Sequence, residues 1–400
     1  MRVLHVISNL NSKAGGTFTA VRDIAIAQAK SGLYVSVCTT YRGVDEFLDL
    51  EKLRILFLNS GIALYTFKAV SPMLVSWKLY KWLNGRRDFD CLHLHGLYRL
   101  PTSIAAYFAY KNKIPYLMTP HGSLVPFLYK QSRYGYWGLR LKRLYEYILE
   151  KHNLDRASAI HFTSHEEALD AGVLNIKAPF VVLPIGIDWQ SYESLPQFGS
   201  FRQLAKLDSD TPLILFLGRV DFKKGIDLLV HSFAQVLKKI PRARLAIVGP
   251  DSSGYLQKVH MWCKELNIYR EVIFINHLEP AKVKEAYVDA NVFILPSYNE
   301  NFGITVIEAM ACKCPVIISD QVNIWREIQN GSAGIVIQLN VDRLTKAVMK
   351  ILNHPEEAKS MGASGRILAR DQYDWNSIVA RFAELYVSMI DDSINKKIAG

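Results

Sequence analysis

Val292-Phe-Ile-Leu295-Pro-Ser-Tyr-Asn-Glu300-Asn301-Phe302-Gly303-Ile304-Thr-Val-Ile-Glu308-Ala-Met-Ala-Cys312-Lys313-Cys314-Pro315-Val316 changes character along its length. Val292–Leu295 is a short apolar run, as a buried strand requires. Gly303–Cys312 reads as a helix that ends before Pro315, and a second apolar run opens at Val316. Strand, loop, helix and strand in this order build a parallel sheet covered by helices. Ligands bind such sheets beyond the C-terminal ends of the strands. Glu300 falls in that loop, and Glu308 lies on the helix that follows. The N–H groups of Phe302, Gly303 and Ile304 point out of the helix start, where the dipole favours anionic oxygens. Each carboxylate can accept hydrogen bonds from a pair of adjacent hydroxyls. A ligand that is half polyol and half anion fits, and a nucleotide-sugar is such a ligand.

The same alternation runs through the whole chain. Val3–Ser8, Tyr34–Thr39, Arg54–Leu58, Cys91–His95, Pro115–Thr119, Ala159–Thr163 and Val181–Leu183 read as strands, with helical stretches such as Phe18–Lys30 and Pro101–Lys111 between them. A second set follows at Leu213–Leu217, Leu245–Val248, Val272–Ile275, Val292–Leu295, Val316–Ile318 and Gly334–Ile337. A chain of 400 residues is long for one core. Two sets therefore predict two Rossmann-like α/β domains. Residues 189–211, with Pro196, Gly199 and Asp/Ser clusters, read as the linker.

Half the residues are hydrophobic, which places the chain among globular proteins. The N-terminus runs straight into a strand pattern without a signal-peptide layout, and no apolar run is long enough to span a membrane. Cys38, Cys91, Cys263, Cys312 and Cys314 are scattered and read as buried thiols of a reducing compartment. The net charge of +11 is uneven: residues 1–188 hold 23 Lys/Arg against 14 Asp/Glu, and the remainder hold 25 against 23. The N-terminal half therefore suits an anionic partner. No nucleic-acid-binding motif accompanies the charge.

Other strand ends carry further candidates. Gly15-Gly16 after the first strand allows close backbone approach to an anion, although a plain turn would look the same. His93 and His95-Gly96 end the fourth strand, with Tyr98 just beyond, and His121-Gly122 follows the fifth. These histidines lack a carboxylate or Cys at ligand spacing, which weighs against zinc. Gly218-Arg219 and Lys223-Lys224-Gly225 follow the first strand of the second set. A planar guanidinium and an ammonium there suit a pyrophosphate. Asp188 of Ile185-Gly186-Ile187-Asp188 reads as structural at the crossover. Asp208-Ser-Asp210 precedes a strand, whereas a metal-holding pair would follow one, so it reads as a solvated turn.

Together the Glu300–Glu308 stretch, Arg219…Lys224-Gly225 and the early Gly-Gly and His-Gly loops resemble the retaining glycosyltransferases of family 4, of bacterial cell-surface polysaccharide type. That resemblance implies the GT-B fold, two Rossmann-like domains with parallel sheets facing across a cleft. Residues 1–188 would bind the acceptor and residues 189–374 the donor, with helix 375–400 returning to the first domain. Glu308 would bind the ribose, while Glu300 and Asn301–Gly303, with Ile304, would hold the donor sugar. Arg219 and Lys224 would neutralise the diphosphate, Gly15 and Gly16 would approach the reacting centre, and His121 would touch the sugar or leaving phosphate. His95, Tyr98 and His121 would lie on the acceptor side. No cofactor or metal is expected. Lys313, where the family often has Gly, and Ile185, where it often has Asn, depart from the pattern.

Tyr129–Lys151 and Ile62–Leu83 interleave aromatic and basic residues, as a membrane interface does, or as ordinary helices do when one face is buried. With the positive charge of the first half, this favours a cytoplasmic enzyme peripheral at the inner membrane face. Its acceptor would be a glycan or a polyprenyl-diphosphate-linked saccharide. The competing reading is a non-transferring relative, such as a sugar-nucleotide epimerase or a silent nucleotide-sugar-binding subunit. The complete set Arg219, Lys224, Glu300 and Glu308 argues against the silent form.

Overall fold

The computed structural model describes residues 1–10, 16–70, 73–86, 88–124, 149–251 and 254–398. Among them the strands form two parallel sheets. The first has the order β3-β2-β1-β4-β5-β6-β7. Its strands are β1 (Arg2–Asn9), β2 (Tyr34–Tyr41), β3 (Ala63–Lys68), β4 (Cys91–His95), β5 (Tyr116–Thr119), β6 (Ala159–Phe162) and β7 (Phe180–Val182). The second has the order β10-β9-β8-β11-β12-β13. It consists of β8 (Leu213–Leu217), β9 (Arg244–Val248), β10 (Val272–Ile275), β11 (Val292–Leu295), β12 (Val316–Ser319) and β13 (Gly334–Ile337). In each sheet the strand order reverses beside the first strand, between β1 and β4 and between β8 and β11. Such a switch point splays the flanking loops apart and leaves a crevice at the strands' C-terminal ends. It therefore brings the loop after β8 beside the loop after β11.

The chain divides into two compact units, Met1–Gly186 with Trp375–Gly400, and Ile187–Asp374. The first unit is completed by the helix Trp375–Ile398. Trp375, Ile378, Val379, Phe382, Tyr386 and Met389 recur at helical spacing. They pack on Val3, Ile24, Cys91, Leu117 and Leu183. Gly186 has to be small, because a Cβ there would lie 2.6 Å from the Trp375 ring. The free cysteines are all buried, and no helix among the described residues is long and apolar enough to cross a membrane.

Three sequence expectations need correction. Arg54–Leu58 is not a strand but the end of the helix Val44–Asn59, which buries Leu50, Leu53 and Phe57 at helical spacing. The edge strand comes later, as β3, and Arg54 reaches it through Leu64 O (2.8 Å) and Thr66 Oγ1 (3.1 Å). Ile62–Leu83 is not one amphipathic element but β3 followed by the helix Trp77–Asn84. Trp82 packs on the Tyr65 and Phe67 rings, at 4.6 and 5.5 Å, and so belongs to the unit's interior. Residues 189–211 are not a free linker. They hold the helices Gln190–Glu193 and Ser200–Leu204. Arg202 is buried there, its guanidinium donating to Asp208 O, Thr211 O, Asp289 O and Asn291 Oδ1. Asp208 and Asp210 are exposed, as a solvated turn requires. In the Tyr129–Lys151 segment, residues 129–148 lie outside the described residues, as does Gly15.

Candidate functional site

In the second unit the loop after β8 is tied to the loop after β11. Tyr298 N–H donates to Lys223 O at 2.7 Å, and the Tyr298 hydroxyl donates to Asp227 Oδ2 at 2.6 Å. Burial and the Asp227 carboxylate both raise the Tyr298 pKa, which keeps the donor protonated. Gly225 makes the contact possible. Its φ is +66°, and a Cβ would lie 1.9 Å from Pro296 O. The result is an ion pair between Lys224 Nζ and Glu300 Oε2, both side chains being largely but not wholly covered. Glu300 is fixed through its backbone, its N–H donating to Gln321 O and its carbonyl accepting from Asn323 N–H, each at 3.0 Å. Arg219 is exposed in the loop after β8.

Gly303, at φ +84°, is the N-cap of the helix Ile304–Ala311. Glycine adopts this left-handed conformation without steric cost. Phe302 is buried, with its ring 5.8 Å from Tyr373, so its backbone rather than its side chain is what a ligand could meet. Asn301 and Ile304 are half-buried. Glu308, also half-buried, accepts from the Tyr287 hydroxyl at 3.2 Å. Desolvation, followed by the Glu308 charge, holds the Tyr287 pKa well above its ordinary value. Here a carboxylate, a carboxylate–ammonium pair and a helix N-terminus occupy one sheet end, suited to a ligand with both hydroxyls and negative charge.

In the first unit the candidates stand at the ends of β4 and β5. Two of them carry left-handed backbone, Tyr98 at φ +63° and His121 at φ +52°. Non-glycine residues held there cluster at functional sites. His95 and His121 are joined, Nδ1 to Nε2, at 3.0 Å. Gly16 is exposed at the start of the helix Gly16–Lys30.

Sequence reasoning missed two glutamates and two histidines. Glu167 is buried and accepts from Gly122 N–H (2.6 Å), Thr163 N–H (2.9 Å) and the Thr163 hydroxyl (2.8 Å), so it clamps the loop carrying His121. Ser164-x-x-Glu167 is a capping-box pattern that could have revealed it. Ser164 Oγ accepts from Glu167 N–H at 3.2 Å. Glu150, also buried, accepts from Tyr98 N–H at 2.9 Å. His5 and His161 lie in β1 and β6, and His5 pairs in register with His93. Histidines repeating inside apolar strands were the available signal.

His5, His93 and His95 bring nitrogens within 4.8 Å of one another, a spacing compatible with a metal. Both ring nitrogens of all three are already hydrogen-bonded. A metal would have to displace those partners, so the donor set does not fit one. Desolvation lowers the pKa of His5 and His161 to about 4 and of His121 to about 3. It also takes His93 and His95 well below the usual range, so the rings are neutral at pH 7.

Residues 198–367 match the family described as glycosyl transferases group 1, and residues 14–190 match Glycosyltransferase Family 4. The two matches fall on successive halves of the chain and, with the two parallel sheets, support a family 4 type of GT-B glycosyltransferase. The chain is 28% identical over 211 residues to a GDP-mannose-dependent alpha-(1-6)-phosphatidylinositol monomannoside mannosyltransferase of Mycolicibacterium smegmatis, covering 51% of the chain and 55% of that protein. It is 22% identical over 389 residues to the uncharacterized glycosyltransferase MJ1607 of Methanocaldococcus jannaschii, covering 93% and 94% respectively. The chain spans about half the length of most of the curated relatives it matches. In fold it resembles Anabaena Alr3699/HepE in complex with UDP and glucose, with a TM-score of 0.77 and 17% identity over 97% of this chain and 100% of that one.

Proposed function

We propose that this family 4 chain is a retaining, metal-independent hexosyltransferase. It moves a sugar from a UDP- or GDP-linked donor to a hydroxyl of a glycan or lipid-linked saccharide, in bacterial surface polysaccharide or glycoconjugate synthesis, at the inner membrane face. The observation that carries this reading is the joined pair of loops at the β8–β11 switch point. There Lys224 meets Glu300 across Gly225, and Gly303 opens the helix carrying Glu308. The UDP in the Alr3699/HepE structure and the GDP-mannose in the mycobacterial relative's name support a nucleotide-sugar donor.

In this reading Glu308 accepts hydrogen bonds from the ribose hydroxyls. Glu300, with the Asn301–Ile304 backbone, orients the sugar. Arg219, Lys224 and the helix N-terminus stabilise charge developing on the departing diphosphate, the task a metal performs in other enzymes. The acceptor oxygen attacks the anomeric carbon from the face the diphosphate leaves. The acceptor's proton passes to the departing phosphate oxygen, giving a nucleoside diphosphate and a glycoside of unchanged configuration. Gly15 and Gly16 approach that phosphate, His121 contacts the donor sugar, and His95 and Tyr98 flank the acceptor.

The test is incubation of the protein with UDP-glucose, UDP-N-acetylglucosamine, UDP-galactose or GDP-mannose and lipid-linked saccharides, with and without EDTA. Released nucleotide is followed, together with the anomeric configuration of the product. One donor should be consumed equally with and without EDTA, giving retention. Inversion, a covalent sugar trapped on a side chain, or abolition by EDTA would overturn the mechanism. Conversion of a donor sugar without any acceptor would replace transfer with epimerisation.

A further inference from the structure

Buried polar side chains in the first unit form one unbroken hydrogen-bonded chain, and one end of it has fixed polarity. His161 Nε2 lies 2.8 Å from Leu183 O, and His161 Nδ1 lies 2.8 Å from Thr119 Oγ1. Thr119 Oγ1 lies 2.7 Å from His93 Nε2, and His93 Nδ1 lies 2.7 Å from the Tyr386 hydroxyl. That hydroxyl lies 3.0 Å from Gln28 Nε2, and Gln28 Oε1 lies 2.8 Å from His5 Nε2. His5 Nδ1 meets His95 Nε2 at 2.9 Å, and His95 Nδ1 meets His121 Nε2 at 3.0 Å.

A backbone carbonyl can only accept. His161 must therefore carry its proton on Nε2, and its bare Nδ1 must accept from the Thr119 hydroxyl. The Thr119 oxygen then accepts from His93 Nε2–H, and bare His93 Nδ1 accepts from the Tyr386 O–H. With its only proton used, Tyr386 must accept, which turns the Gln28 amide nitrogen towards it. Gln28 Oε1 then accepts from His5 Nε2–H, His5 Nδ1 from His95 Nε2–H, and His95 Nδ1 from His121 Nε2–H. Each neutral imidazole has one N–H, so no link can reverse alone. Any reversed link would set two acceptors or two donors face to face inside the core, leaving both unsatisfied away from water.

We propose that Thr119, His93, Tyr386, Gln28, His5 and His95 are positioning residues that transmit the polarity of the Leu183 carbonyl to His121, fixing it as the Nε2–H tautomer with a bare Nδ1. A ligand group meeting that nitrogen must bring its own proton. A sugar hydroxyl qualifies, and a phosphate oxygen does not. This consequence for the donor rests on the role given to His121 above, whereas the tautomer itself does not.

The experiment is long-range proton–nitrogen NMR on the full chain with 15N-labelled histidine, His121 being assigned by the signals lost in His121→Gln. The protonated and bare nitrogens have widely separated shifts. Wild type should show His121 protonated on Nε2 alone. Thr119→Val keeps the side-chain shape but cuts the link to His161. His93, Gln28 and the remaining rings can then invert together, so His121 should become a mixture of tautomers, while Thr119→Ser should restore the single form. A wild-type His121 protonated on Nδ1, or a Thr119→Val protein still holding Nε2–H alone, overturns the proposal. If Thr119→Val does not fold, Tyr386→Phe, which removes the hydroxyl between His93 and Gln28, takes its place with the same expected mixture and the same refuting result. In kinetics, Thr119→Val should lower kcat/KM for the donor about fivefold, the worth of one neutral hydrogen bond. A tautomer shift without that loss leaves the network standing and removes His121 from the donor site.

Discussion

Replacing Gly225 with alanine tests how the loops after β8 and β11 are held together. The new Cβ would sit 1.9 Å from Pro296 O and 2.9 Å from the carbonyl carbon, both backbone atoms that cannot rotate away. An alanine at φ +66° also pays about 1–2 kcal/mol for left-handed backbone. Relieving the overlap adds about 1–3 kcal/mol, as overpacking does elsewhere. The total, about 2–5 kcal/mol, falls on a unit of fewer than two hundred residues, Ile187–Asp374. At about 2–4 °C per kcal/mol, its melting transition should drop by about 4–20 °C. If the loop shifts instead of the whole unit weakening, Lys224 leaves Glu300 and donor KM rises with little change in Tm. Gly61→Ala is the control, since Gly61 has φ +72° with nothing within 4 Å of its Cβ position. It should lose only the conformational part. Calorimetry and donor kinetics on both variants decide the matter. A Gly225→Ala protein no less stable than Gly61→Ala, with unchanged donor KM, would show that the Gly225–Pro296 approach does not hold the two loops together.

Glu167→Ala should orphan the N–H groups of Gly122 and Thr163, at about 1–3 kcal/mol each. It should lower both the thermal stability of the first unit and kcat, measurable by calorimetry and steady-state transfer. Arg202→Met removes buried hydrogen bonds to Asp208 O, Thr211 O, Asp289 O and Asn291 Oδ1. It should cost the second unit about 3 kcal/mol in denaturant unfolding. The buried His5, His93, His95 and His161 all have folded pKa values below their unfolded value of about 6.5. The unfolded chain therefore binds more protons in acid, and stability is lost as pH falls below about 6.5 towards 4. Between pH 7 and pH 6 the loss should reach about 2–3 kcal/mol, read from urea midpoints of the first unit.

The doubly wound α/β architecture could be read from period and punctuation, because strands buried on both faces are near-continuous apolar runs bounded by glycine and proline. β11 and the helix Ile304–Ala311 lie where Pro296, Gly303 and Pro315 bracket them. Arg54–Leu58 misled because Arg54-Ile-Leu-Phe-Leu58 is apolar enough for a strand. Its helical face shows only when Leu50, Leu53 and Phe57 are taken together. The linker reading at 189–211 failed for a different reason. What orders that stretch is one buried arginine reaching to residues 289 and 291, a long-range pairing that local composition does not encode. Lys224 and Glu300 stood out as strand-end charges, and the fold brings them into contact. The histidine chain stayed hidden because its links run between strands and helices far apart in sequence, such as His93 to Tyr386. Single histidines in apolar strands look like isolated core residues until register and packing set them side by side.

Calorimetric titration of the protein with UDP, GDP and their sugar conjugates probes the nucleotide-sugar site at the β8–β11 switch point. One site per chain, with preference for one nucleotide, is expected. Affinity should be lowered about tenfold or more by Glu308→Ala, the worth of hydrogen bonds to a charged group, and lowered further at the diphosphate by Lys224→Met. Binding that neither substitution weakens, or no binding of any nucleoside diphosphate, would contradict a nucleotide-sugar site there.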